Sequence, residues 1–271
     1  MPTLDATLKA ADAAMKRRKV ASFRGPLHVG VDLGTAYTVV MALDNRMKPV
    51  AGAYQFAQVV RDGVVVDFMG AIELLKTLKA RVEAKLGVEI ASAASAYPPG
   101  VPLAEVQAVR YVLEGAGIDC RRLIDEPTAA NALLGVQNGA VVDVGGGSTG
   151  IAVIEDGRVT YTADEPTGGT HFTLVIAGAK GISFEEAEAL KLDTAAQQSL
   201  FPHIRPVMEK VASIIQRHLA DRQVQNITLV GGAAAFPGFA DVVADVTGIP
   251  TIVPSRPLFV TPIGIAMLHE G

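Results

Sequence analysis

Residues 32–44, DLGTAYTVVMALD, can be laid over residues 143–155, DVGGGSTGIAVIE, so that Asp32 falls on Asp143, Gly34 on Gly145 and Thr38 on Thr149. In each copy an apolar run leads into the aspartate, glycine and small residues follow, and a second apolar run comes after. That order predicts a strand, a tight turn and a returning strand. The copies are separated by much more than the roughly 20–50-residue period of a solenoid, so the repeat predicts two related lobes. A chain of 271 residues, 49% of them hydrophobic, can bury two cores with a cleft between them. The two turns are expected to face each other across that cleft.

A glycine turn has no Cβ atoms to hold a ligand off, so its backbone N–H groups can converge on an anion such as phosphate. An aspartate at the strand end would repel that phosphate unless a cation lay between them. Mg²⁺ normally keeps several waters while using one or two carboxylates and phosphate oxygens. Asp32 and Asp143 therefore predict a magnesium–phosphate ligand, with the metal held largely through water and with Thr35 and Ser148 adding hydroxyl donors. One such turn alone reads equally as an empty hairpin; two copies with the same aspartate favour the ligand. Further along, LVGGAAAFPGF (229–239) ends a strand in Gly231 and Gly232, followed by Ala233. Taken singly it is ordinary strand-to-helix packing, and in a two-lobed cleft it is a flat wall for an adenine ring. Glu126 stands just before a helix starting on Pro127, either as a carboxylate favoured by the helix dipole or as a catalytic group.

Around these motifs the chain reads as an amphipathic helix and linker over 1–26, with Leu4, Leu8, Ala11 and Met15 at helical spacing. Lobe I follows over 27–138 and lobe II over 139–271. Lobe I holds the 27–43 hairpin, a helix over 70–87 stopped by Gly87, a strand in EIASAASAYP, a helix in LAEVQAVRYVLEGAG and a strand in RRLIDEP. Lobe II holds a strand hairpin over 140–164, helices near 169–180 and 183–192, and a long helix around 203–220. It continues with strands in NITLVGG and PTIVP, a helix in GFADVVADV, and a last helix from Thr261 to 269 that packs back at the lobe interface.

A net charge of −4 and a pI near 5.8 give no electrostatic reason to expect nucleic-acid or anionic-membrane binding. The one cysteine, Cys120, cannot form an internal disulfide or supply a zinc or iron–sulfur ligand set alone. Without a signal-peptide pattern or a membrane-length apolar run, a reducing cytoplasm is the expected location. The histidines lack metal-ligand spacing, and His171, beside a helix start, reads as a hydrogen-bonded structural residue.

Five segments in order, DLGTAYT, EPTAANAL, DVGGGST, LVGGAAA and TPIGIAML, make residues 28–268 similar to the actin, Hsp70 and sugar-kinase superfamily of two-lobed ATP-binding proteins. Together, VVRDGVVVDF, GISFEEAEALK, VGGAAAFPGF and VTPIGIAML resemble the ethanolamine-utilization protein EutJ family, small Hsp70-like proteins encoded with bacterial microcompartments. The resemblance implies an α/β actin-like ATPase fold of two ribonuclease-H-like lobes with reduced outer subdomains, binding ATP or ADP with Mg²⁺. It implies that Asp32 and Asp143 organise the metal. Gly34, Thr35 and Ala36, with Gly145, Gly146, Gly147 and Ser148, would hold phosphates, and Glu126 would orient the attacking water. EEAEALK implies Glu188 and Lys191 at ribose and adenine, beside Gly231, Gly232 and Ala233. It further implies a chaperone-like role and a protein partner or client in the ethanolamine-utilization microcompartment system.

Three departures from full Hsp70 are expected: no room for a chaperone peptide-binding domain after the nucleotide lobes, too little chain between Leu43 and Gly70 for the outer subdomain that carries the Hsp70 catalytic lysine, and Ser148 in place of the usual threonine, a chemically mild change. Phosphoryl transfer depends on neutralising charge on the transferring group, so ATP is expected to bind well and hydrolyse slowly. A small-molecule kinase and a filament-forming relative of bacterial cytoskeletal proteins are the rival readings. An iron–sulfur activase is excluded by the single cysteine.

Overall fold

The computed structural model describes residues 3–61 and 64–270. Asp62 and Gly63 of the VVRDGVVVDF segment, and the extreme ends of the chain, therefore lie outside the described residues. The first element is α1 (Leu4–Lys16), capped by the Thr3 hydroxyl and buried along Leu8, Ala11 and Ala14.

The internal repeat becomes two sheets of the same topology. Strands β1 (His28–Leu33), β2 (Tyr37–Leu43), β3 (Pro49–Phe56), β6 (Ser92–Tyr97) and β7 (Asp119–Asp125) form one sheet in the order β3-β2-β1-β6-β7. Strands β8 (Gly139–Val144), β9 (Thr149–Glu155), β10 (Arg158–Glu165), β11 (Ile227–Val230) and β12 (Thr251–Ile252) form the other in the order β10-β9-β8-β11-β12. In both, the first three strands are antiparallel and the last two run parallel to the central one. The register repeats as well: Leu33 pairs with Thr38 as Val144 pairs with Thr149. Between lobe I elements, β4 (Val60–Arg61) and β5 (Val64–Val65) make a small two-stranded ribbon. Strand β3 extends the 27–43 hairpin beyond its sequence reading and fills, with this ribbon, the short span before the next helix.

Helices α2 (Phe68–Leu86) and α3 (Leu103–Gly115) cover one face of the first sheet through Leu75, Leu78, Val82, Val109, Val112 and Leu113. On the second sheet, α5 (Gly169–Lys180), α6 (Phe184–Leu192), α7 (Gln197–Leu219) and α8 (Phe239–Thr247) surround Phe172, Ile204, Met208, Val211, Ile215 and Phe239. Helix α7 starts six residues earlier than its sequence reading at 203, running through Pro202 and Pro206. Both prolines are exposed, so the carbonyls they leave unpaired can bond water, while Leu200 and Ile204 anchor the early turns in the core.

Two short helices join the sheets. Helix α4 (Glu126–Leu134) follows β7, and α9 (Val260–Met267) returns from the far end of the chain to pack on α4 and β1. They cross so closely that a Cβ on Gly264 would collide with the Ala129 carbonyl, so glycine is required there. A third apolar cluster forms behind the crossing from Leu8 and Ala11 of α1, Met41, Leu43, Ala130, Val141, Phe259 and Ile263. Among the described residues no helix is long and apolar enough to cross a membrane. Cys120 is buried, with its thiol pushed up by that burial.

Candidate nucleotide cleft

The repeated turns close identically. Gly34 N donates to Tyr37 O at 3.1 Å in the first, and Gly145 N donates to Ser148 O at 3.0 Å in the second. The second turn is buttressed by the start of α5, where Gly169 N bonds Gly145 O and Thr170 N bonds Gly146 O, both at 2.8 Å. The turns touch across the cleft: a Cβ placed on Gly146 would stand 2.6 Å from the Ala36 Cβ.

One cavity is lined by every sequence-derived candidate. Asp32, Gly34, Thr35 and Ala36 come from the first turn, Gly145, Gly146, Gly147 and Ser148 from the second, and Glu126 from α4. Asp143 stands at the end of β8, Glu188 and Lys191 on α6, and Gly231, Gly232 and Ala233 after β11. Thr261, Tyr37, Tyr54 and Leu258 line it too. Those four were not singled out in the sequence, where Thr261 read only as a helix start. His171 stays outside it, accepting a bond from Gly168 N at 3.3 Å, as a structural residue would.

At the strand ends three carboxylates crowd together. Burial, then the charge of Asp143, raises Asp32 to about 7. Glu126 lies well above the ordinary carboxylate range because of burial, then the charges of Asp143, Asp32, Asp164 and Asp125. Asp143 is raised by burial and partly relieved by Thr261, whose Oγ1 donates to Asp143 Oδ2 at 2.7 Å. Like charges in a confined space favour an added cation. Among the described residues no group of three or more acidic, histidine or cysteine side chains could hold a metal directly. Asp32 and Asp143 beside the glycine turns are a donor set that a hydrated Mg²⁺, which uses one or two carboxylates and keeps several waters, would fit.

Glu126 is not the helix cap. Asp125 fills that role, accepting from Thr128 N at 2.9 Å, and Glu126 is the first helical residue, lining the cavity.

The opposite end of the cleft is organised around Glu188. Its Oε2 accepts from Lys191 Nζ and from Thr173 Oγ1, both at 2.6 Å, and Lys191 also donates to Thr173 Oγ1 and Gly169 O. Glu188 Oε1 is buried and, among the described residues, makes no hydrogen bond of good geometry, with the Tyr37 phenol as its polar neighbour; a ligand hydroxyl could satisfy it. Burial, then the charge of Glu188, pushes the Tyr37 phenol up to about 12. Lys191 is the one basic side chain lining the cleft among the described residues, and burial lowers its pKa against the opposing pull of Glu188. Gly231, at φ +87°, lets the chain turn tightly against the Asp143 carboxylate, a space that no side chain could share.

A sequence profile of type IV pilus assembly protein PilM matches residues 126–260, and one of the MreB/Mbl protein matches residues 50–179. Ethanolamine utilization protein EutJ of Salmonella typhimurium is 41% identical over 256 residues, spanning 94% of this chain and 90% of that protein. The crystal structure of EutJ from Carboxydothermus hydrogenoformans superposes with a TM-score of 0.92 at 45% identity, covering 97% of each chain. MreB5 of Spiroplasma citri bound to AMPPNP gives a TM-score of 0.73 at 18% identity, covering 92% of this chain and 96% of that one. At that identity the likeness concerns the fold alone, and the fold is that of the actin-like ATPases. With 41% identity to a EutJ protein over nearly its whole length, the chain belongs to the ethanolamine utilization protein EutJ family.

Proposed function

We propose that this protein binds ATP with Mg²⁺ between its two sheets, hydrolyses it slowly, and acts as a nucleotide-gated, chaperone-like assembly factor of a microcompartment-based ethanolamine-utilization system. The observation that carries the reading is the meeting of two duplicated glycine turns over one group of confined carboxylates. The glycine N–H groups, with Thr35 and Ser148, would receive phosphate oxygens. Asp32 and Asp143 would hold Mg²⁺ through water, and the bound ion would offset charge on the phosphates. Glu126 would orient a water for attack, and Glu188 Oε1 would accept from a ribose hydroxyl. Gly231, Gly232 and Ala233 would lie along the base, near Lys191. The cytoplasm, with association to microcompartments, is the location this role requires.

Slow turnover follows from charge placement. Lys191, tied to Glu188, Thr173 and Gly169, leaves the phosphate end without a protein cation among the described lining residues. A phosphoryl group transferred there lacks one source of transition-state stabilisation. Binding of nucleotide to both sheets would favour the closed cleft, and a protein partner that distinguishes closed from open would read the nucleotide state. Turnover of radiolabelled ATP, measured alone and with the other proteins of the system, tests this. The expected result is tight binding with turnover orders of magnitude below the roughly 10 per second of a typical enzyme. ADP formation only on addition of one small metabolite would instead establish a kinase.

A further inference from the structure

We infer that Thr261 is a positioning residue, fixing the Asp143 carboxylate and tying it to the crossing of α4 and α9; the inference rests on the nucleotide reading above. Thr261 lies in the first turn of α9, is 4% exposed, and spends its hydroxyl on a residue 118 positions away rather than on its own helix end. A threonine at a helix start ordinarily bonds nearby backbone. Here Oγ1 donates to Asp143 Oδ2, while Oδ1 lies against Gly231. The carboxylate is thus pinned from two sides by segments outside its own strand. Among the described residues neither Asp32 nor Glu126 has a comparable hydrogen-bond donor, so Asp143 alone of the three is oriented before a ligand arrives.

The same helix presses on the elements carrying the other two carboxylates. A Cβ on Gly30, two residues before Asp32, would stand 2.6 Å from both Pro262 O and Ala266 N. Gly264 is jammed against Ala129, three residues after Glu126. Two turns of α9 therefore touch β1, touch α4 and hold Asp143. Close-packed contacts of this kind do not deform continuously. A shift of α9 against α4 must then move or break the Thr261–Asp143 bond, so this bond links cation binding to the angle between the sheets.

The test compares wild type with Thr261→Val and Thr261→Ala, two hydroxyl-free variants of different size, and with Thr261→Ser. Calorimetry measures ADP affinity with excess Mg²⁺ and with EDTA; hydrogen exchange follows α9 with and without Mg·ADP. Loss of one hydrogen bond to a charged group predicts about a tenfold weaker affinity with Mg²⁺ and an unchanged affinity in EDTA. Nucleotide-induced protection of α9 should be lost, and Thr261→Ser should restore both readouts. Equal weakening with and without Mg²⁺, an unchanged Mg²⁺ effect, or undiminished α9 protection in the hydroxyl-free variants would overturn the inference while leaving nucleotide binding intact. If the wild type bound no ADP under either condition, the nucleotide reading would fall and this inference with it.

Discussion

Asp32 combines burial with a close like charge, and both oppose its ionisation. Its pKa in the folded protein, about 7, lies above the ordinary 3.8. Between these values the native state holds a proton that the unfolded state has released, so stability falls as pH rises from about 4 to about 7. Glu126 and Asp143 are shifted in the same direction and reinforce the trend. Thermal melts of the ligand-free protein should therefore give a lower Tm at pH 8 than at pH 5.5, with saturating Mg·ATP removing much of the difference. Asp32→Asn should stabilise the ligand-free protein at pH 8 by about 2 kcal/mol, less than the full shift allows because the carboxylate still meets cavity water. An Asp32→Asn variant no more stable than wild type would show that the carboxylate carries no such penalty. Glu126 stands in the first turn of α4 and lines the cavity, a place that fits both roles left open by the sequence, and one substitution separates them. Glu126→Gln should cut ATP turnover about 10²–10⁴-fold while changing ATP affinity less than about threefold, as judged by single-turnover kinetics beside direct binding. A loss of helix stability with unchanged turnover would return Glu126 to a structural part.

At the scale of elements, α1 fastens to both sides of the cleft. Its Leu8 and Ala11 enter the cluster behind the α4–α9 crossing, and Lys85 of α2 donates to Met15 O and to Gly52 O of β3 at 2.8 and 2.6 Å. At its other flank, Asp5 accepts from Ser255 at 2.6 Å and Asp12 pairs with Arg256 at 3.3 Å. Leu8→Ala should cost about 2–4 kcal/mol by opening a cavity at a fully buried position, measurable by urea unfolding. Asp12→Ala, at a partly exposed ion pair, should cost about 1 kcal/mol or less. The apolar face of α1 was legible in the spacing of Leu4, Leu8 and Ala11, whereas β3 was not. PVAGAYQF shows no alternation because its first five residues are all buried, and Gly52 within it makes room for Met15 of α1. The early turns of α7 were hidden by Pro202 and Pro206, whose cost depends on solvent access that sequence alone does not display. The repeated turns were legible because backbone closure and anion contact both demand small residues at fixed positions. Thr261 was not, since its importance lies in a contact between segments 118 residues apart.

For the whole molecule, two copies of one sheet topology face each other and helices α4 and α9 cross between them. Contact between Gly146 and Ala36 means that any side chain at 146 must push the turns apart. Gly146→Val should accordingly lower ATP affinity by at least about tenfold, roughly 1.4 kcal/mol, while leaving the separate cores folded by circular dichroism. The most direct measurement is calorimetric titration of Mg·ATP into wild type and into Asp143→Ala. Saturable one-to-one binding by the wild type, weakened by at least an order of magnitude in the variant, is the predicted result. Equal affinity in the two proteins, or no binding by either, would contradict the assignment of this cleft to a magnesium nucleotide.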